Sequence, residues 1–345
     1  MERSRSALAP LAALLLVAAG CAAPRQAAPT QTVPGTAAGT AAASATPDFS
    51  GRTLNIVTGG TGGVYIVYGA GLADMLTKKM KVAASAQSTP ASVDNMKLIR
   101  DGKADLAFTL ADTAYDAING KNRFAPPEGK VDAKTIAVMY SNYMHLVAKS
   151  SAGINTVADL KGKRVSIGAA GSGTETKAIR ILEAFGMNAT TDIQPQRLAA
   201  QDSADALRDS KIDAFFFDGG LPTSAVTDIA NSTAVKLIDQ TDAIAKMNAK
   251  YGNFYFPAKI PKGTYKGNDT DIVTAGVANL LVVPASFDAA FVKAILTAMF
   301  DNQADLVLVH PEAKNLKLDT ATQGSPIDFH QGAIDFYKAK GVWKP

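Results

Sequence analysis

The sequence is short of the residues that build redox, metal and nucleic-acid sites. Its 345 residues include one cysteine and three histidines, and aromatic residues make up only 7%. A single cysteine excludes an internal disulfide, and no histidine stands in an H-E-x-x-H motif, so no metal site is indicated. The net charge of +4 is scattered and the aromatic residues are dispersed, so nucleic acid is not an expected partner.

Nucleotide and serine-hydrolase fingerprints are also missing, although the chain has 28 glycines. No G-x-x-x-x-G-K-[ST] motif occurs. A dinucleotide fingerprint that starts at Gly60 would need a third glycine where Tyr65 stands. The segment "AGSGT" does not fit G-x-S-x-G. The sequence therefore predicts no cofactor and no enzyme activity.

The first residues have the features of an export signal. Arg3 and Arg5 precede the apolar run "LAPLAALLLVAAG" (8–20), which is too short to span a bilayer comfortably. The run ends in "VAAGC", which resembles a bacterial lipobox with Ala18 in place of the usual leucine. The alternative is an ordinary cleavage site with an incidental cysteine. We therefore expect residues 1–21 to be a signal peptide and Cys21 to carry a lipid anchor.

The next segment predicts a tether. Residues 22–50 are rich in Ala, Pro, Thr and Gly and have no apolar periodicity, which is typical of a disordered linker. No later run reaches about 18 apolar residues, so no second membrane segment is expected. The expected location is the periplasm or the outer face of the cytoplasmic membrane.

Strand and helix patterns alternate after residue 51. "RTLNIVTG" predicts a buried strand, and apolar spacing predicts a helix over Val64–Met80. A long extended run follows at Thr135–Lys149, and a second helix is predicted at Thr174–Phe185, closed by Gly186. Alternating strands and helices predict an α/β fold with parallel sheets.

The sequence contains an internal echo. "LIRDGKADLAF" (98–108) aligns with "ALRDSKIDAFF" (206–216) at an offset of 108, and "IVTGGTGG" (56–63) aligns with "SIGAAGSG" (166–173) at an offset of 110. Two aligned blocks in the same order favour two similar α/β lobes over chance. The recurring Asp105 and Asp213 are expected to cap turns rather than to do chemistry.

Both glycine loops join a strand to a helix. The first is "GGTGGVY" (59–65) and the second is "GAAGSGTET" (168–176). Such loops expose backbone N–H groups at a helix N-terminus, where carboxylate or phosphate binds. Tight turns with no ligand are the alternative for either loop alone, but matching loops in two lobes favour binding. Asp218 in "FFFDGGLP" is either a turn former or a ligand contact.

These segments resemble the TAXI family of solute receptors, which serve tripartite ATP-independent periplasmic (TRAP) transporters. The resemblance covers residues 53–341 and rests on "NIVTGGTGGVYIVYGAGLADML", "DLKGKRVSIGAAGSGTE", "KIDAFFFDGGLP", "IPKGTYKGNDTDIVTAGVANLLVV" and "HPEAK". It implies a two-lobed, periplasmic-binding-protein-like (type II) α/β fold with paired extended hinge crossings. Lobe one would be residues 51–143 plus 281–345, and lobe two would be residues 144–280.

The resemblance also implies the site and its partners. The ligand would be a small carboxylate or amino acid, glutamate-like where known, and the protein would be a monomer that delivers it to TRAP membrane subunits. The implied ligand-binding residues lie in both lobes: Gly60, Thr61, Gly62, Gly63, Val64, Tyr65, Ser88, Asp112, Thr113, Ser172, Gly173, Thr174, Phe217, Asp218 and Gly219.

Two segments at this site depart from the family pattern. The chain has "STPASVDN" (88–95) where the family often has "TTGGSVEN", and "LAD" (110–112) where it often has "QSD". Both differences bear on which ligand is bound. Two other functions stay open: a ligand-sensing receptor for a membrane signalling partner, and a secreted α/β hydrolase that uses a hydroxyl of "GSGTET" without a paired base.

Overall fold

The computed structural model describes residues 47–344. The predicted signal peptide, Cys21 and most of the predicted tether lie outside the described residues. The packed chain begins slightly before residue 51, because Phe49 is buried and its ring stacks on that of Phe291 at a centroid distance of 4.6 Å. No helix among residues 47–344 is long and apolar enough to cross a membrane.

Ten strands form one mixed sheet in the described part of the chain. Their bounds are β1 Thr53–Val57, β2 Ala83–Gln87, β3 Leu106–Leu110, β4 Ala133–Lys149, β5 Arg164–Ser166, β6 Gln194–Gln196, β7 Ala214–Gly219, β8 Val235–Leu237, β9 Phe256–Ile260 and β10 Ile272–Pro284. The order across the sheet is β2-β1-β3-β10-β4-β7-β5-β6, with β8 beside β4 and β9 beside β10.

Helices connect these strands and cover the sheet. Their bounds are α1 Val64–Met80, α2 Ser92–Arg100, α3 Ala111–Asn119, α4 Gly173–Ala184, α5 Ala200–Arg208, α6 Ser224–Ser232, α7 Thr241–Tyr251, α8 Ala289–Asp301, α9 Gln303–Val309 and α10 Gln331–Ala339. The predicted first helix has the bounds of α1, and the predicted second helix lies within one residue of α4, with Gly186 in the left-handed region at φ +72°.

Two long antiparallel strands join the two ends of the sheet. β4 pairs with β10 from Ala133 to Tyr143, and from Tyr143 onward it pairs with β7. β10 in turn pairs with β3 from Asn279 to Val282 and with β9 from Ile272 to Gly276. We call the side that holds β1–β3 the first half and the side that holds β5–β7 the second half. The predicted paired extended crossings are thus strands of one sheet.

The internal echo of the sequence corresponds to a structural repeat, because both halves contain the same arrangement of three parallel strands. In each half, the middle strand lies between two parallel partners, β2 and β3 around β1, and β6 and β7 around β5. The carboxylate of Asp105 accepts the N–H of Asn55 at 2.7 Å, and that of Asp213 accepts the N–H of Arg164 at 2.9 Å. Both carboxylates accept a backbone N–H group of the middle strand in their half, as expected of residues that stabilise turns.

The segment 88–95 is held in place by one buried amide. The Nδ2 group of Asn95 donates to the carbonyls of Thr58 (2.6 Å) and Phe108 (2.8 Å), and its Oδ1 accepts the hydroxyl of Thr89 (2.6 Å). Asn95 therefore ties the ends of β1 and β3 to the loop before α2.

Replacing Asn95 by leucine should destabilise the protein. Leucine has a similar size but removes three buried hydrogen bonds, because the carbonyls of Thr58 and Phe108 lose an amide donor and the hydroxyl of Thr89 loses an acceptor. This loss should cost about 3 kcal/mol in urea unfolding. The exposed Asn119→Leu is the matched control and should change the free energy of unfolding by less than about 0.5 kcal/mol. Equal effects of the two variants would contradict the role given to Asn95.

His145 is a core histidine on β4 whose two ring nitrogens both have hydrogen-bond partners. Its Nδ1 lies 2.9 Å from the carbonyl oxygen of Tyr143, and its Nε2 lies 2.9 Å from the hydroxyl of Tyr265. The side chain is fully buried, and this burial lowers the pKa of His145 from 6.5 to about 4.

This pKa predicts a specific acid sensitivity. Between pH 6.5 and about pH 4, His145 is protonated in the unfolded chain but neutral in the folded protein. The free energy of unfolding therefore decreases as the pH drops through this window, by about 3 kcal/mol in total. His145→Gln should remove that part of the pH dependence. The measurement is urea unfolding of both proteins at pH 7.5 and pH 4.5, and identical losses in the two would show that His145 is not the sensor.

Candidate ligand-binding site

A cavity of about 60 Å³ lies between the two halves, at the carboxyl ends of the parallel strands. That is roughly four times the volume that one buried water needs. Most of the ligand-binding residues predicted from the sequence line it, from both halves: Gly60, Gly63, Val64, Tyr65, Ser172, Gly173, Thr174, Phe217, Asp218 and Gly219. The structure thus brings the two glycine loops together.

Five other predicted residues do not line this cavity. Thr61 is exposed at the tip of the first loop, and Ser88 uses its hydroxyl to donate to the carbonyl of Gly59 at 3.0 Å. Gly62 faces α6 instead, where its carbonyl accepts the N–H of Ala225 at 3.3 Å. The last two, Asp112 and Thr113, begin α3.

The carboxylate of Asp112 is occupied by other side chains. Its Oδ2 lies 3.0 Å from Nη1 of Arg180 and accepts the hydroxyl of Tyr255 at 2.7 Å, while its Oδ1 accepts the N–H of Thr113 at 2.7 Å. Arg180 also pairs with Asp116. Asp112 therefore joins α3 of the first half to α4 of the second half beside the cavity.

Sequence reasoning missed part of the wall. The lining residues absent from the predicted set are Gly59, Gly168 and Ala169 in the two glycine loops; Thr89, Pro90, Ala91, Ser92 and Leu110 in the two segments that depart from the family pattern; and Leu198, Ala199 and Ala200 in a segment that the sequence did not connect with the site. The internal echo contains the signal for two of these segments, because the offset of 108 places Ser92, at the start of α2, onto Ala200, at the start of α5.

Four helices begin at the cavity wall. Their N-cap residues are Gly63 for α1, Ala91 for α2, Ser172 for α4 and Ala199 for α5. Only Ser172 caps its helix with a side chain, since its hydroxyl accepts the N–H of Glu175 at 2.9 Å, whereas the other three N-caps make no such bond. First-turn N–H groups of three helices therefore lack a side-chain acceptor, and the helix dipoles make this wall favourable for an anion.

A buried ion pair lies directly behind the cavity wall. Asp218, at the end of β7, lines the cavity, and its Oδ2 lies 2.9 Å from Nζ of Lys177 on α4. Neither side chain has any solvent exposure. Burial raises the pKa of Asp218 to about 6, although Lys177 opposes that shift.

Aromatic rings shape the rest of the wall. The ring of Tyr65 packs against Phe108 with centroids 5.2 Å apart, and its hydroxyl lies 3.5 Å from Nδ2 of Asn142. Burial raises the pKa of Tyr65 well above its ordinary value, so its hydroxyl stays neutral. Phe217 faces Gly63, where an added Cβ would lie 3.3 Å from its ring, so glycine lets the first loop approach this ring.

The described residues contain no group of three or more His, Cys, Asp or Glu side chains that could hold a metal ion. The hydroxyls of Ser172 and Thr174 each accept a backbone N–H group, and a hydroxyl that accepts one bond can still donate its own proton. Thr174 Oγ1 accepts the N–H of Asp218 at 3.2 Å, and no histidine among residues 47–344 lines the cavity. The arrangement suits binding of a small anion.

Several solved structures have a similar fold. A protein of Bordetella bronchiseptica RB50 aligns with a TM-score of 0.50 and 15% identity, over 85% of this chain and 90% of that one. The alkanesulfonate-binding protein SsuA from Xanthomonas axonopodis pv. citri aligns with a TM-score of 0.45 and 14% identity, over 85% and 81% of the chains. A binding protein component of an ABC phosphonate transporter from Pseudomonas aeruginosa aligns with a TM-score of 0.46 and 13% identity, over 76% and 79%.

At these identities the likeness concerns the fold alone. The α/β fold class predicted from the sequence is confirmed by the mixed sheet and its covering helices. The sequence itself matches the NMT1-like family over residues 56–341, which is most of the chain. The narrower resemblance to the TAXI family stays a prediction. The chain belongs to the NMT1-like family.

Proposed function

We propose that this protein is an extracytoplasmic solute receptor that captures a small organic anion or amino acid between two lobes. The observation that carries the proposal is the meeting of helix N-termini from both halves at one cavity, with no side-chain cap on α1, α2 or α5. A ligand held by both halves stabilises the closed arrangement, which a membrane partner can then recognise.

The expected ligand is a carboxylate, glutamate-like in keeping with the resemblance to the TAXI family. Among the described residues, no Arg or Lys side chain lines the cavity, so the anion would be held by backbone N–H groups and hydroxyls. One hydrogen bond to a charged group contributes about 1.5–3 kcal/mol. A few such bonds are enough for micromolar capture, which corresponds to about −8 kcal/mol.

The proposed partners are the membrane subunits of a TRAP transporter, with uptake driven by an ion gradient. The proposed lobes are residues 51–143 plus 281–345 and residues 144–280, and they would hinge where β4 and β10 change partners, near Tyr143 and Gly276. Export and a lipid anchor at Cys21 would place the receptor beside those subunits.

The hydrolase alternative has less support in the geometry. Its candidate nucleophiles Ser172 and Thr174 already accept backbone N–H groups, and neither hydroxyl has a histidine as its hydrogen-bond partner. The sensor alternative shares the same site and differs only in the membrane partner.

A thermal-shift screen of the purified protein tests the proposal. Amino acids, dicarboxylates, keto acids, sulfonates and sugars are added one at a time. A ligand at 100 times its dissociation constant adds about 2.7 kcal/mol to the folded state, which should raise Tm by a few degrees. Hits confined to anionic or zwitterionic compounds are expected. Hits confined to sugars, or turnover of any compound, would contradict the proposal.

Gly62→Val should block capture by wedging the two halves apart. Gly62 has φ +79°, and an added Cβ would lie 3.0 Å from Cβ of Ala225 on α6. Gly102→Val is the matched control, because Gly102 has φ +65° and nothing lies within 4 Å of an added Cβ.

Both variants should lose similar stability from backbone strain, about 1–2 kcal/mol. Only Gly62→Val should also weaken binding of a compound found in the screen, by about tenfold or more in isothermal titration. If both variants bind that compound like the wild-type protein, the first loop does not take part in closure.

A further inference from the structure

Two carboxylates from opposite halves lie near each other beside the cavity. Asp94 is in the first turn of α2, and its backbone N–H donates to the carbonyl of Gly171 in the second glycine loop at 3.2 Å. Glu175 is in the first turn of α4, and its side chain is only 3% exposed. Burial raises the pKa of Asp94, Arg123 opposes this shift, and the charge of Glu175 raises the same pKa further. The two carboxylates therefore repel each other across the boundary between the halves.

Arg123 compensates this repulsion. It lies in a short 3-10 turn (Asn122–Phe124) that follows α3 in the first half, and its Nη2 donates to Oε2 of Glu175 at 3.1 Å. This bond joins one half to the other, and we call it the clasp. The side chain of Arg123 is 52% exposed, so the clasp lies at the rim of the boundary, where water reaches one of its two partners.

Glu175 keeps partners within its own half when Arg123 leaves. Its Oε1 accepts the Nε–H of Arg197 at 2.7 Å, and its Oε2 accepts the N–H of Gly171 at 3.0 Å. Arg197 follows β6, so both donors belong to the second half. Opening the clasp thus leaves the buried carboxylate paired, and it avoids the uncompensated buried charge that makes the loss of most buried ion pairs costly.

The ion pairs of Arg180 across the same boundary are of the opposite kind. Arg180 on α4 pairs with Asp112 and Asp116 on α3, and all three side chains are at most 6% exposed. Separating them would leave buried charges without partners, which is strongly unfavourable. Asp112 also directly follows β3, which pairs with β10 at the boundary. This contact has the properties of a pivot, whereas the clasp has those of a contact that opens.

We propose that Arg123 is a releasable clasp, whose bond to Glu175 holds the two halves together at the rim and whose rupture opens the cavity. Arg123 does not line the cavity and acts through Glu175 on the second glycine loop, so it is a positioning residue. The inference rests on the proposed function in one respect, because opening and closing serve the capture and release of a solute.

Two backbone amides report on opening, because each is bonded across the boundary. The N–H of Asp94 donates to the carbonyl of Gly171, and the N–H of Ala225 on α6 donates to the carbonyl of Gly62 in the first glycine loop. The N–H of Asp213 is bonded within the second half and serves as the internal reference. Residue-resolved hydrogen–deuterium exchange of the full chain, with no solute added, measures all three amides.

Arg123→Gln should speed exchange at both Asp94 and Ala225 by about three- to tenfold and leave exchange at Asp213 unchanged, because Asp94 and Glu175 then repel each other without a cation between them. Arg197→Gln is the matched control. It removes a bond to the same carboxylate from within the second half, so it should change exchange at Ala225 by less than about twofold.

Four results would overturn the clasp. Unchanged exchange in Arg123→Gln would mean that the halves do not depend on this bond. Faster exchange at Asp94 alone would mean that Arg123 orders only its own surroundings. Equal acceleration in Arg197→Gln would deny any special role to the bond across the boundary. Equal acceleration at Asp213 would mean that Arg123 acts on the stability of the whole fold.

A second variant tests the repulsion itself. Adding Asp94→Asn to Arg123→Gln removes one of the two carboxylates, so exchange at Ala225 should fall by about twofold or more from its rate in Arg123→Gln. A rate that does not fall overturns the proposed repulsion and the clasp with it.

These measurements separate the clasp from the proposed function. They need no solute, so the absence of a hit in the thermal-shift screen would contradict capture of small anions and leave the exchange rates as they are. Unchanged exchange in Arg123→Gln would overturn the clasp and leave the solute receptor standing.

Discussion

The antiparallel pair of β4 and β10 is the constraint on which the rest of the structure depends. These strands of 17 and 13 residues link the halves, because β10 pairs with β3 of the first half, β4 pairs with β7 of the second half, and the two strands pair with each other. Every other strand reaches the opposite half through them. Because a strand bonded on both sides cannot slide, relative movement of the halves is confined to the points where partners change, near Tyr143 and Gly276.

The site follows from this topology more than from special side chains. In each half the parallel strands end at the central cleft, and each strand-to-helix loop therefore directs a helix N-terminus there. The same arrangement of strands and helices occurs in both halves. Asp105 and Asp213 each bond to the backbone of the equivalent strand, and α2 and α5 start at equivalent positions. Repetition alone thus gives a two-sided wall of backbone donors.

Local patterns explain what the sequence could predict. Apolar spacing and a closing glycine define α1 and α4, and the internal echo predicts the repeated strand order. The roles of Asp112 and Asp218 could not be separated in this way, because both stand at a strand end beside the cleft. The carboxylate of Asp112 accepts hydrogen bonds from Arg180 and Tyr255, which lie 68 and 143 residues away along the chain. No local sequence pattern predicts such a pairing.

The pair of Lys177 and Asp218 is hard to explain by stability. Taking two charges out of water offsets much of their attraction, and apolar residues of similar volume often stabilise a fold as well or better. A pair kept only for stability would also have both carboxylate oxygens bonded, whereas Oδ1 of Asp218 has no partner among the described residues. Lys177 holds the Asp218 carboxylate in one orientation behind the cavity wall, and Thr174 Oγ1 accepts the Asp218 N–H. The pair thus fixes the end of β7, whose backbone borders the cavity, and a wall that is ordered before binding costs the ligand less free energy.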